Sequence, residues 1–320
     1  MISLPDFKEK QILFIKAEWG ERASVRFLND NIVFMKNGKV ANKASCHKVF
    51  AVFVIGDTAI TTGLLKKGLQ YGVSFFFLKN NFELYAPFLA SAEGNYLLRM
   101  KQYSLTDKDE FLMAKNLVKN KIANQLALLA ETEKLKDFKE LEKSILNQIE
   151  ATTDSQQLLG LEGNMSKQFF PMYFSSIKWR RRSPRTKQDI PNFLMDIGYT
   201  FLFNFIEALL KLHGFDTYKG FYHKLFFQRK SLACDIMEPM RCLIDKQILK
   251  SYNLKQIKDD DFKIEGGKYV LPFENNAKYA GLFMQAMMDR KEDIFSFVHD
   301  FYRFMMCPKK NKFPEFKIKV

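Results

Sequence analysis

Apolar, β-branched and aromatic runs recur through the first 90 or so residues, and they predict a small β-rich domain. The dipeptide Asn37-Gly38 between two of these runs is typical of a type I′ hairpin turn. A short helix is expected at residues 61–71, ending at Gly72. The predicted strands are residues 11–17, 25–28, 32–35, 49–55, 73–78 and 82–85. These elements together predict a sandwich-like domain.

Beyond residue 91 the hydrophobic positions follow a helical period. The most apolar helix starts near Pro191, a favourable first-turn residue, and ends near His213 with Gly214 as its cap. The predicted helices are residues 95–103, 109–135, 138–151, 154–170, 191–213, 276–288 and 292–306. We therefore predict an α+β protein, with a small N-terminal β-sandwich-like domain at 1–91 and a larger all-α catalytic domain at 92–320. Its basic end, 308–320, is expected to be disordered when free.

Positive charge dominates the chain, which has 50 Lys and Arg against 36 Asp and Glu and a net charge of +14. This favours a polyanionic partner, nucleic acid ahead of an anionic membrane surface, although charge alone also allows a merely basic protein. The four cysteines form no C-x-x-C pair, and no secretory signal or uninterrupted apolar span of about 18 residues is present. We therefore predict a cytoplasmic protein with reduced thiols and no membrane contact.

The glycine-punctuated segment 214–241 concentrates the candidate chemistry. It contains His223 and, on a predicted helix, Asp235 and Glu238. Their i, i+3 spacing places the two acids on one helix face, where a nearby loop could bring the imidazole against them. Imidazole with carboxylates suits a divalent metal, Mn²⁺ or Mg²⁺ above all. The alternative is a pair of solvated acids that favour the helix dipole.

Two residues make this predicted helix irregular. Ser231 is its expected N-cap. Pro239 removes a backbone hydrogen bond, so either the helix bends beside the acids or a second helix begins there.

A third acid, Glu162, falls within an apolar stripe formed by Leu158, Met165 and Phe169. A carboxylate on a buried face is costly unless it is paired or coordinates a cation. Glu162 is therefore either a ligand or a salt-bridged residue at the edge of the stripe, and its spacing leaves both open.

Cationic residues cluster in the segment K-W-R-R-R-S-P-R-T-K. Such a cluster favours DNA phosphate contacts that position the duplex without reading its bases, and a solvated loop is the alternative. The lysines of the helix at 109–135, Lys121 among them, are expected on a solvated face unless they adjoin the site. The candidate DNA-binding residues of the loop are Lys178, Arg180, Arg181, Arg182 and Arg185.

The motifs L-L-G-L-E-G-N-M-S-K-Q-F-F and G-F-Y-H-K-L-F-F-Q-R-K-S-L-A-C-D-I-M-E-P-M-R together resemble the CRISPR adaptation integrase family. The ordered E…H…D-x-x-E set is specific, and the R-R-R-S-P-R loop and the N-F-L-M-D-I-G-Y helix start extend the resemblance over most of the chain. The resemblance implies that Glu162, His223 and Glu238 are catalytic metal ligands, with Asp235 as a further ligand or an outer group. It implies Mg²⁺ or Mn²⁺ as cofactor.

The resemblance also implies a reaction and partners. The 3′-OH of a prespacer end would attack a phosphodiester at the CRISPR repeat boundary, so double-stranded DNA is the substrate. A homodimer and a small ferredoxin-like adaptation protein are the implied protein partners. Arg229 and Arg241 are candidates for phosphate contacts, with a structural ion-pair role equally open.

Two positions depart from the family pattern: Gln228, where relatives often have glycine, and Phe169, where tyrosine is expected. A metal-dependent nuclease of DNA or RNA without an integration role is one alternative function. A non-catalytic DNA-binding scaffold, whose acids merely form salt bridges, is another.

Overall fold

The computed structural model of the protein describes residues 3–18, 20–92, 94–132, 138–223 and 227–319. Strands occupy the N-terminal part as far as Phe88, apart from two short helices, and mostly helices follow from Tyr96 onward. The predicted fold class, a β region followed by a larger helical domain, is confirmed. The domain boundary after residue 91 stays a prediction.

Two four-stranded sheets form the N-terminal part. Its elements are α1 Leu4–Lys8, β1 Gln11–Lys16, β2 Ala23–Leu28, β3 Asn31–Lys36, β4 Lys39–Ser45, β5 Val49–Ile55, β6 Ala59–Ile60, α2 Thr62–Tyr71, β7 Ser74–Leu78 and β8 Leu84–Phe88. The first sheet has the order β1-β5-β7-β8 and the second β4-β3-β2-β6. In the first, β1, β5 and β7 are parallel and β8 is antiparallel. Asn37 and Gly38 both have positive φ, as a type I′ turn requires, and they join β3 to β4.

Strand β5 is buried on both faces and links the two parts of the protein. Val52 and Val54 join a core between the two sheets. Phe50 and Phe53 join the larger core that includes the helices. The ring of Phe53 meets that of Phe201 edge-on, with centroids 5.1 Å apart. The first sheet is therefore the layer on which the helical domain packs.

Among the helices of the second part, α7 is almost fully buried. These helices are α3 Tyr96–Tyr103, α4 Asp107–Glu131, α5 Phe138–Ala151, α6 Ser155–Tyr173, α7 Ile190–His213, α8 Ser231–Met237, α9 Arg241–Asn253, α10 Asn276–Met288 and α11 Lys291–Met306, with a small hairpin of β9 Lys263–Glu265 and β10 Lys268–Val270. Helix α7 begins with Pro191 in its first turn and ends at Gly214, whose φ is 91°. Both ends agree with the sequence prediction. The predicted continuation of α4 over residues 133–135 lies outside the described residues.

Helix α7 is, among the described residues, the one helix long and apolar enough to cross a membrane. Its apolar window is 83% buried inside the protein. Helices α8, α9, α10 and α11 pack against it. This burial is that of a core helix.

The basic C-terminal residues do not have the disorder that their composition suggested. Phe316 is 1% exposed and Ile318 is 8% exposed. Both alternate with exposed charged residues along a segment that binds α4 through Asn120 and contacts α11 through Phe313.

Candidate metal centre

The loop that carries His223 is built around the buried carboxylate of Asp235 on α8. Asp235 Oδ2 accepts the backbone N–H groups of Phe221 at 2.7 Å and Tyr222 at 3.0 Å. Its Oδ1 accepts the N–H of His223 at 2.9 Å and lies 2.6 Å from His223 Nδ1. A carboxylate only accepts, so Nδ1 donates its hydrogen there, and in the neutral imidazole the lone pair is then on Nε2. Asp235 thus fixes both the loop and the imidazole.

Gly220 permits the close approach of this loop to α8. A Cβ atom at this position would lie 2.6 Å from Asp235 Oδ2 and 2.8 Å from the Ser231 side chain. Any larger residue must therefore push the loop away from the carboxylate that organises it.

Glu238 stands at a break between two helices. Helix α8 ends at Met237, a 3₁₀ turn spans Glu238–Met240, and α9 begins at Arg241. Of the two outcomes expected for Pro239, the start of a second helix is the one found. The expectation for Ser231 is wrong, because the N-cap position is Lys230 and Ser231 is a buried residue inside the first turn.

Glu162 on α6 and Glu238 meet at the ammonium group of Lys121 on α4. Lys121 Nζ donates to Glu162 Oε1, and to Glu238 Oε2 at 2.7 Å. Ser166 Oγ also donates to Glu162 Oε1, at 3.4 Å. The Lys121 side chain is only 12% exposed. Lys121 therefore adjoins the site and is not on a solvated face, which is the exception that the sequence left open.

Charge pairing controls the protonation of these groups. Burial alone would raise the pKa of the Glu238 carboxyl, but Arg241 and Lys121 outweigh it and lower that pKa to about 2. Arg241 Nη2 lies 3.0 Å from Glu238 Oε1. Burial would likewise lower the pKa of the Lys121 ammonium, but Glu238 and Glu162 raise it. Glu238 is therefore an ionised carboxylate at neutral pH.

The donor set fits a hard divalent cation. Within the described residues no three His, Cys, Asp or Glu side chains already form a metal cage. However, Glu162 and Glu238 converge on one cationic nitrogen, and His223 Nε2 lies 4.0 Å from Glu238 Oε1. Two carboxylates and an imidazole nitrogen are ligand types that suit a hard divalent cation. Both oxygens of Asp235 accept hydrogen bonds from the His223 loop. Asp235 is therefore better placed to orient His223 than to bind a metal directly.

The structure separates the basic residues of the loop into two kinds. Arg180, Arg181 and Arg185 are exposed. Arg182 is turned inward, where Nη1 donates to Asn192 Oδ1 at 2.8 Å and Nη2 lies 3.5 Å from Asp196. A further basic residue, Lys178, is exposed and pairs with Asp259 at 2.6 Å.

A groove of about 1290 Å³ joins the candidate metal centre to this loop. Lys121 and Glu238 line one part of it, and Arg182 and Arg185 line another. Arg229, which is exposed, and Arg241, paired with Glu238, also line it. The groove can hold a polyanionic strand close to the acids.

The two departures from the family pattern have structural correlates. Gln228 has a φ of 56°, in the left-handed region that favours glycine. Phe169 is fully buried and stacks on Tyr173 with ring centroids 5.1 Å apart, so it serves packing.

A family model described as CRISPR associated protein Cas1 matches residues 19–285. The chain belongs to this family. A CRISPR-associated endonuclease Cas1 of Thermodesulfovibrio yellowstonii is 29% identical over 284 residues, which are 83% of this chain and 89% of that protein. Another from Archaeoglobus fulgidus is 29% identical over 293 residues, 82% of this chain and 84% of that protein.

Solved structures show the same Cas1 fold. A CAS1 protein from Thermotoga maritima superimposes with a TM-score of 0.80 at 18% identity, covering 97% of this chain and 100% of that one. A casposase bound to its integration product also gives 0.80, at 16% identity, covering 96% and 93%. At such identities the similarity shows the fold alone.

Proposed function

We propose that the protein is a metal-dependent DNA integrase of CRISPR adaptation. It joins the 3′-OH end of a prespacer to the phosphodiester at a CRISPR repeat boundary by transesterification. The observation that carries this proposal is the meeting of Glu162 and Glu238 at Lys121, beside a groove that Glu238 lines together with basic residues. His223 Nε2 lies 4.0 Å from Glu238 Oε1. The family, and relatives described as endonucleases or as a casposase with its integration product, support it.

Each residue of the site has a proposed part in this reaction. Glu162, Glu238 and His223 Nε2 would hold Mg²⁺ or Mn²⁺, which polarises the phosphoryl oxygen and stabilises charge on the attacking or leaving oxygen. Asp235 keeps His223 in the tautomer and orientation that ligation requires. Arg180, Arg181, Arg185 and Arg229 would contact phosphates, whereas Arg182 and Arg241 have ion-pair partners of their own.

The proposal extends to partners. Double-stranded prespacer and repeat DNA are the substrates, and two protomers in a homodimer would supply the two strand-transfer sites. A small ferredoxin-like adaptation protein completes the complex, and the setting is the cytoplasm. One structural neighbour is a Cas6-RT-Cas1–Cas2 complex, which matches 97% of this chain with a TM-score of 0.76 at 23% identity. Another neighbour is a Cas1–DNA complex.

The decisive experiment measures strand transfer of a labelled duplex with free 3′-OH ends into repeat-containing DNA, with the small partner added. Reactions contain Mn²⁺, Mg²⁺ or EDTA. We expect joined products that require metal and fall by roughly two orders of magnitude or more in Glu162→Gln. Glu150→Gln is the matched control, because Glu150 pairs with Lys119. Cut products without joined products would identify a nuclease, and DNA binding without either product would identify a scaffold.

A further inference from the structure

Residues 313–319, the last that the structure describes, form what we call the C-terminal strap. Two asparagines one turn apart on α4 bind its backbone much as a neighbouring strand would. Asn120 Nδ2 donates to the carbonyl of Phe316 at 2.7 Å, and its Oδ1 accepts the N–H of Phe316 at 2.9 Å. Asn124 Oδ1 accepts the N–H of Ile318 at 2.9 Å. The strap is thereby fixed in register along α4.

The strap also connects to the turn that carries Glu238. Asn124 Nδ2 donates to the carbonyl of Phe316 at 2.9 Å and to that of Pro239 at 3.0 Å. Asn124 is 4% exposed, so these bonds are shielded from water. A single amide group therefore joins the strap to the residue that follows Glu238.

A second contact joins the strap to the loop that carries His223. The ring of Phe313 lies edge-on to that of Phe221, with centroids 6.2 Å apart, and also contacts Phe301 of α11. The N–H of Phe221 is one of the groups bound by Asp235. Packing at Phe313 thus supports the segment that positions the imidazole.

Cationic side chains hold the other end of the strap in place. Arg290 Nη2 donates to the carbonyl of Lys317 at 2.6 Å, and its guanidinium lies 5.0 Å from the Phe316 ring centroid. Lys246 Nζ donates to the carbonyl of Lys319 at 2.9 Å. The strap is outside the range of the family match, which ends at residue 285.

We propose that the C-terminal strap is a positioning element of the candidate metal centre. It braces the Glu238 turn through Asn124 and the His223 loop through Phe313, so loosening the strap loosens two of the three metal-binding side chains. The identity of the bound metal rests on the proposed function. The effect of the strap on the Glu238 turn and on the His223 loop is independent of that function, and it can be measured without metal.

The test uses two variants that release the strap without altering the site itself. Asn120→Ala removes a side chain that, among the described residues, bonds to Phe316 alone. Phe313→Ala removes the contact with Phe221. Val25→Ala, in the separate core between the sheets, controls for a general loss of stability. All proteins are full-length and are studied well below their Tm.

Amide hydrogen exchange is followed at residues 221–223 and at Met240, and Mn²⁺ affinity is measured by calorimetry. We expect both strap variants to exchange about tenfold faster at these amides and to bind Mn²⁺ about tenfold more weakly, with Val25→Ala unchanged. Unchanged exchange in both strap variants, or equal acceleration in Val25→Ala, would overturn the proposal. A wild-type protein that binds no Mn²⁺ would refute the proposed metal site instead, and the exchange data would still decide the role of the strap.

Discussion

His223 Nδ1 donates to Asp235 Oδ1 at 2.6 Å, and the same oxygen accepts the backbone N–H of His223. In Asp235→Asn, an NH₂ group replaces one oxygen, so two of the N–H groups that the carboxylate binds lose their acceptor. We expect the imidazole to lose its fixed orientation and Mn²⁺ affinity to fall about 10–100-fold, measured by calorimetry.

Asp259→Asn is the control for this variant, because Asp259 pairs with exposed Lys178 on the surface. The control should bind Mn²⁺ like the wild type. Equal Mn²⁺ affinity in Asp235→Asn and the wild type would show that Asp235 does not position His223 for ligation.

Lys121 places a positive charge between the two carboxylates, so it opposes a divalent cation at the same place. Lys121→Met should strengthen Mn²⁺ binding by about tenfold, while Lys121→Arg, which keeps the charge, should not. Without metal, Lys121→Met should lower the free energy of unfolding by about 3 kcal/mol, because two poorly solvated carboxylates lose a partner. Calorimetry and denaturant unfolding in EDTA measure the two effects. Weaker Mn²⁺ binding by Lys121→Met would instead mean that the ammonium helps to organise the site.

Local signals in the sequence were sufficient for much of the fold. Pro191 and Gly214 mark the ends of α7, and Asn37-Gly38 marks the turn between β3 and β4. Each of these residues favours the backbone conformation found at its position. The three acids and His223 were proposed as a site from their spacing and from the family resemblance. In the structure Glu162 and Glu238 share Lys121, and His223 Nε2 lies 4.0 Å from Glu238 Oε1. Their role as metal ligands stays a prediction.

The sequence does not reveal features that depend on contacts between distant segments. Lys121 looks like any lysine of a long helix, and only the packing of α4 against α6 and the Glu238 turn gives it two carboxylate partners. The strap looked disordered because its composition is basic. Its partners Asn120 and Asn124 lie nearly two hundred residues earlier, where no local pattern can indicate them.

Arg181 and Arg182 are neighbours in the basic loop, yet they should respond differently to replacement. Exposed Arg181 is available to phosphate, so Arg181→Ala should weaken DNA binding and reduce the slope of log affinity against log salt by about 1. Arg182 bonds to Asn192 and Asp196, so Arg182→Ala should mainly lower Tm. Salt titrations by fluorescence anisotropy, with thermal melts of both variants, distinguish them. An unchanged salt slope in Arg181→Ala would remove this residue from the DNA surface.

A buried histidine outside the site should make stability depend on pH. His213 is fully buried, its Nδ1–H donates to the carbonyl of Leu209 at 2.8 Å, and Nε2 lies 3.4 Å from His299 Nδ1. Burial lowers its pKa to about 4, below the unfolded value near 6.5, so the unfolded chain takes up the proton first. Its contribution to stability is therefore complete above about pH 6.5 and is lost as the pH falls toward 4, by about 3 kcal/mol. Apart from His299, which contacts His213, the titrating groups are shared by both proteins. The wild-type curve of unfolding free energy against pH should therefore be steeper than that of His213→Phe in this window. Parallel curves from urea unfolding between pH 7 and 4 would show that His213 is not held neutral by its burial.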